Sequence, residues 1–134
     1  MPRPNKLDYY LDIARSVSKR STCLRRRYGA VIVNNDEIVS TGYNGAPRGY
    51  MNCIDRGSCI RENMSVNPGE RYELCEAIHA EQNAIISASR KDMMGGVLYL
   101  YGEDKYGNEI EAKPCALCER FIINVGIVSV FKSK

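Results

Sequence analysis

The sequence predicts an α/β fold, a mixed β-sheet flanked by helices in a single domain spanning residues 1–134. Three observations predict it. A chain of 134 residues encloses one sizeable core and little more. Its apolar residues recur at helical spacing in some segments and as short strand-like runs in others. In the later half helix and strand alternate, which makes those strands parallel.

The elements follow in order. Leu7 to Arg20 reads as an amphipathic helix, with Leu7, Tyr10, Leu11, Ala14 and Val17 on one face and Asn5 as its cap. Tyr28 to Val33 is a continuous apolar run and Ile38 to Tyr43 a shorter one, with hairpin-turn chemistry in Asn34-Asn35-Asp36-Glu37 between them. Residues 44–74 have no period. A loop of that length needs something to order it, and its cysteines are the obvious candidates. Glu76 to Ser89 reads as a helix through Ala77, Ala80, Ala84, Ile85 and Ala88, stopped by Gly95-Gly96. Val97 to Tyr101 is a strand, and 102–113 a polar flap around Tyr106-Gly107-Asn108. Cys115 to Val125 is a second core helix with Pro114 at a first-turn position, and Ile127 to Phe131 the last strand.

Composition narrows the function. A net charge of +3 is weak for a protein built to grip nucleic acid, so no nucleic-acid partner is expected. Arg25-Arg26-Arg27 is the densest basic run, enough for one phosphate group. No stretch resembles a targeting signal or a membrane span, which places the chain in the cytoplasm. Six cysteines in a reducing compartment read as metal ligands or catalytic groups rather than disulfides.

The chemistry concentrates in His79-Ala80-Glu81 and Pro114-Cys115-Ala116-Leu117-Cys118. Cys115 and Cys118, three apart at a helix start, face the same way, and a helix N-terminus favours thiolates. With His79, the only histidine, they make three ligands. Zinc takes four, so one position stays open to water, the mark of a catalytic site. Glu81 is then the proton carrier. Residues two apart in mid-helix point nearly opposite ways, so His79 and Glu81 share a site only if the helix end abuts it. Each motif alone has a bland reading: a core histidine, a redox pair, a solvated glutamate. Their conjunction favours catalytic zinc.

Here the sequence resembles the cytidine and deoxycytidylate deaminase superfamily, and most of all its deoxycytidylate branch. The likeness is carried by Gly29-Ala30-Val31-Ile32-Val33, Thr41-Gly42-Tyr43-Asn44-Gly45-Ala46-Pro47, Cys53, His79-Ala80-Glu81-Gln82-Asn83-Ala84-Ile85 and Pro114-Cys115-Ala116-Leu117-Cys118. It implies a cytidine-deaminase-like fold and zinc-dependent hydrolysis of dCMP to dUMP with loss of ammonia, supplying dUMP for dTMP synthesis. It also implies zinc on His79, Cys115 and Cys118, proton transfer by Glu81, a sugar-hydroxyl contact at Asn44, a phosphate contact at Arg26 and a further substrate contact at Ala80. Homo-oligomers, dimeric or hexameric, and dCTP and dTTP as effectors belong to the same implication, with the Gly42–Pro47 region contributing to the regulatory site. The family usually continues through another helix and strand that help recognise phosphate. Here the fourth predicted strand ends the sequence, and the longer 102–113 segment is the candidate to supply such contacts through Lys105, Tyr106 or Lys113.

Removing Cys115 and Cys118 from the six leaves Cys23, Cys53, Cys59 and Cys75. Four thiolates close a tetrahedral structural zinc site. The alternative is four free cysteines packing as small apolar groups. Some deoxycytidylate deaminases carry a second zinc with cysteines matching Cys23 and Cys53. Three rival functions remain on the sequence: a tRNA-editing deaminase, a cytidine or deoxycytidine deaminase, and a non-catalytic zinc-stabilised binding module. The first asks for more basic surface and more stacking aromatics than a chain without tryptophan offers. The last leaves Glu81 without a purpose.

Overall fold

The computed structural model describes residues 2–65, 67 and 75–134. Helix α1 (Lys6–Ser18) comes first, capped by Asn5, whose Oδ1 accepts from the Asp8 amide (2.8 Å). Strands β1 (Arg26–Asn34) and β2 (Glu37–Tyr43) form an antiparallel hairpin. Its turn residues Asn35 and Asp36 sit at φ 52° and 60°, the left-handed pair that a type I′ hairpin requires. Strand β3 (Val97–Asp104) pairs antiparallel with β1, Arg26 opposite Asp104 and Val33 opposite Val97. The other edge of β3 is shared. Strand β5 (Ser129–Lys132) runs parallel to Val97–Leu100, and the two-residue β4 (Glu109–Ile110) pairs with Gly102 and Glu103. The parallel crossover is the one expected from helix–strand alternation, so the sheet is mixed.

Both faces of the sheet are covered. Alternation along β1 sends Val31 and Val33 towards α1, with Tyr99 and Tyr101 of β3 and Tyr10 and Ala14 of the helix. It sends Ala30 and Ile32 the other way, onto Leu98, Leu100, Ala80, Ala84 and Ile122. This double burial is why Tyr28 to Val33 reads as unbroken hydrophobicity. Two glycines let the helices come close. A Cβ at Gly29 would stand 2.0 Å from the Ala14 carbonyl oxygen of α1, and one at Gly42 would stand 2.4 Å from the Ala80 carbonyl oxygen.

Several boundaries differ from the sequence reading. The helix expected from Glu76 begins at Ala80 (α4, Ala80–Ile86), because Ile78 is held extended by a two-way backbone bridge to Gly45 (2.7 and 3.1 Å). It stops early because Ser89 caps a new short helix, α5 (Arg90–Met93). Pro114 lies before the cap of α6 (Ala116–Asn124) rather than in its first turn, since Cys115 is the cap. The aperiodic stretch contains two single-turn helices, α2 (Cys53–Arg56) and α3 (Ile60–Asn63), too short to show a period. Its residues 66 and 68–74 lie outside the described residues. The 102–113 flap is the β3–β4 hairpin, its turn organised by Asp104 Oδ1 accepting from the amides of Tyr106 (2.9 Å) and Asn108 (3.0 Å).

Candidate metal centre and active site

Two helix starts meet below the sheet, and both deliver a candidate metal-binding side chain from the cap position. His79 caps α4 with extended backbone (φ −72°, ψ 153°), and Cys115 caps α6 in the same way (φ −72°, ψ 166°). Because His79 stands outside the helix, its side chain escapes the periodicity that would point it away from Glu81. The Gln82 side chain holds this geometry by accepting from the His79 amide (2.9 Å), the returning half of a capping box. On α6 the Cys115 sulfur accepts from the Cys118 amide (3.4 Å), which aims both thiols to one side.

The ligand atoms of His79, Cys115 and Cys118 all lie within 4.8 Å of one another. His79 Nδ1 is 3.2 Å from Cys118 Sγ and 3.6 Å from Cys115 Sγ. Zinc–nitrogen and zinc–sulfur bonds of ordinary length at a tetrahedral angle put such a pair about 3.6 Å apart, so the donors fit zinc in type and spacing. Cys118 is fully buried, and Glu81, 5% exposed, stands beside it. Burial first, then the Glu81 carboxylate and Cys115, push the Cys118 thiol far up. A sulfur so placed keeps its proton in the absence of a metal and would release it on binding a metal cation.

Helix α4 is clamped to the end of β2. Asn83 Nδ2 donates to the Tyr43 carbonyl (2.8 Å), and Ser40 Oγ to the Ala84 carbonyl (2.6 Å). The Gly45–Ile78 bridge then seats Asn44 one residue from the strand that leads into His79. Asn44 is buried and its amide is engaged: Oδ1 accepts from the Tyr28 amide (2.8 Å) and Nδ2 donates to the Arg26 carbonyl (3.0 Å). Two of its four hydrogen-bonding positions remain. Arg26, exposed at the start of β1, is thereby a neighbour of Asn44. The basic run divides, however. Arg25 pairs with Glu62 (3.1 Å) and Arg27 with the buried Glu103 (3.6 Å). Ala80 is buried in the core at the first turn of α4. Tyr106 is exposed at the hairpin tip with Lys105 over its ring (5.3 Å), while Lys113 lies two residues before Cys115. The sequence reading missed Gly42, Gln82 and Asn83 as positioning residues. Only Gln82, three residues after the cap, carried a legible signal.

Cys23, Cys53, Cys59 and Cys75 line one cavity of about 20 Å³, room for a single water-sized occupant. Burial pushes the Cys53 thiol up, the three other cysteines add to this, and Arg56 opposes it. Their sulfurs stand wider than those of the first cluster. Among the described residues only the His79 set has all its ligand atoms within 4.8 Å.

An α/β/α sandwich that brings a histidine and two cysteines together at two helix starts, with a buried carboxylate alongside, defines a class of metal-binding proteins. The chain belongs to the cytidine and deoxycytidylate deaminase family: the profile of that family's zinc-binding region matches residues 4–133. It is 36% identical over 96% of its length to a deoxycytidylate deaminase of Schizosaccharomyces pombe, of which it spans 37%. It is 35% identical over its whole length to the deoxycytidylate deaminase of Mycobacterium phage D29, of which it spans 98%. Among solved structures it resembles the dCMP deaminase of cyanophage S-TIM5 in complex with dCMP and dUMP (TM-score 0.71, 28% identity, 98% of this chain and 83% of that one). No helix among the described residues is long and apolar enough to cross a membrane.

Proposed function

We propose that this chain hydrolyses dCMP to dUMP and ammonia. The observation that carries this reading is the convergence of His79, Cys115 and Cys118 on one point with the buried Glu81 beside it. Those three side chains would hold zinc, which would lower the pKa of the attacking water towards neutrality. Glu81 takes a proton from the attacking water and delivers it to the ring nitrogen next to the amine-bearing carbon. That carbon becomes electrophilic and its C–O bond forms; Glu81, now without its proton, takes the second one from the new hydroxyl and passes it to the amine. The C–N bond breaks and ammonia leaves. Burial keeps Glu81 from exchanging its proton with bulk water during the cycle. Asn44 directs its remaining hydrogen-bonding positions to the sugar hydroxyl, Arg26 faces the phosphate, and Ala80 forms part of the floor under the base.

The test is ammonia release from cytosine, deoxycytidine, CMP, dCMP and dCTP side by side. The expected order puts dCMP first, with its advantage over deoxycytidine lost in Arg26→Ala. Equal rates on dCMP and deoxycytidine would turn the reading to a nucleoside deaminase, and no release from any of them would revive the binding module.

A second, structural zinc on Cys23, Cys53, Cys59 and Cys75 belongs to the same proposal. Its support is that all four cysteines line one cavity. Elemental analysis is expected to find two zinc ions per chain and one in Cys59→Ser. Homo-oligomeric assembly is supported by the outer face of α6, where Leu117, Phe121 and Ile123 are 59%, 51% and 74% exposed. A cytoplasmic location is supported by six unpaired cysteines. A response to dCTP and dTTP rests on the likeness of the Gly42–Pro47 segment.

A further inference from the structure

The cavity of the four cysteines has two arginines in its wall. Arg56 ends α2, one helical turn after Cys53, and Arg61 lies in α3, two residues after Cys59. Arg61 is 5% exposed, and its Nη2 donates to the Asn67 carbonyl (3.3 Å). Four thiolates around a divalent cation carry two net negative charges. Placing them in a poorly polarisable interior is unfavourable unless positive charge is held nearby. A guanidinium keeps its charge even when buried, so it suits this duty better than lysine. Glu76 also borders the cavity, but it is exposed and solvent screens its opposing charge.

We propose that Arg56 and Arg61 are the counter-charges of the four-cysteine centre, positioning residues that set how tightly it retains a divalent metal; the inference rests on the structural-zinc reading above. Two single positive charges match the charge of a four-thiolate zinc complex. The short helices α2 and α3 then each have one duty, to bring a cysteine and its arginine to the same cavity.

The experiment uses the full chain loaded with zinc, zinc counting by elemental analysis, and titration with a chromophoric chelator that reads the two sites as separate phases. The parent is expected to hold two zinc ions. Arg56→Gln is expected to raise the dissociation constant of the second about tenfold, leaving the His79 site unchanged. Arg61→Met acts in the same direction, and Arg56→Lys restores most of the loss. Should Arg61→Met fail to fold, the two Arg56 variants decide. Two zinc ions in the parent with unchanged retention in Arg56→Gln would overturn the counter-charge role and leave the four-cysteine centre standing. So would a lysine as weak as glutamine. One zinc in the parent would overturn both.

Discussion

Adding one methyl group at Gly42 tests how the active site is held. A Cβ there would lie 2.4 Å from the Ala80 carbonyl oxygen, 2.4 Å from the Ala84 nitrogen and 2.9 Å from the Asn83 carbonyl carbon. All three are backbone atoms of α4, so no side chain can swing aside. Ordinary contact begins at 3.4 Å, so α4 has to retreat from β2 by about 1 Å. Overpacking of this kind costs about 1–3 kcal/mol. In a domain of this size that lowers Tm by about 3–15 °C. The same retreat carries His79 and Glu81 with it, and a displacement of ~1 Å at reacting groups costs about a hundredfold in rate. Gly29→Ala is the internal control. Its Cβ would stand 2.0 Å from the Ala14 carbonyl oxygen, but the helix displaced is α1, which carries no site residue. It is expected to lower Tm at least as much while the folded enzyme keeps its turnover and its catalytic zinc. The assay is kcat for ammonia release from dCMP below both melting transitions, with zinc content measured on the same samples. Equal losses of kcat in the two variants would refute the reasoning. So would full kcat and an unchanged Tm in Gly42→Ala.

Three further outcomes are expected. Glu81→Gln should keep the fold and zinc content but lose at least about 10²–10⁴ of the rate, since Glu81 moves a proton in more than one step; near-normal kcat would remove it from the mechanism. Asn44→Ala leaves the Tyr28 amide and Arg26 carbonyl without their partner, so urea unfolding should show a loss of about 1–3 kcal/mol besides any effect on KM; unchanged stability would assign Asn44 to substrate alone. The hydrogen bond from Tyr10 to Asp36 (2.6 Å), then burial, push the Tyr10 hydroxyl from 10.0 up to about 12. A raised folded-state pKa gives stability that is complete below pH 10 and is lost as pH rises towards 12. The stability gap between the parent and Tyr10→Phe should therefore hold steady below pH 10 and close above it; a gap that widens there would contradict the assignment.

Periodicity and ligand chemistry are local, and the parts of this protein they control can be read along the chain. The apolar run of β1, the hairpin turn at Asn35-Asp36, the amphipathic α1 and the helix after Cys115 are legible because each is written in neighbouring residues. The donor set is legible because a single histidine and a Cys-x-x-Cys pair leave few alternatives. How those parts are aimed depends on long-range packing. Whether His79 and Glu81 can serve one site depends on where α4 starts. That start is set by a bridge from Ile78 to Gly45, thirty-three residues away in the chain. Helical propensity around Glu76 and Ala77 is a local quantity of a few tenths of a kcal/mol per residue, and a pair of backbone hydrogen bonds to a distant strand end outweighs it. The arginine run shows the same thing. Three adjacent charges look like one patch, but the register of β1 against β3 gives Arg27 to Glu103, and the placement of α3 gives Arg25 to Glu62. The first and last of the four remaining cysteines, Cys23 and Cys75, stand fifty-two positions apart, and no local pattern joins the set. Chain reversal through α2 and α3 is what places them around one cavity, because contacts between distant segments follow from how the core packs and not from spacing along the chain.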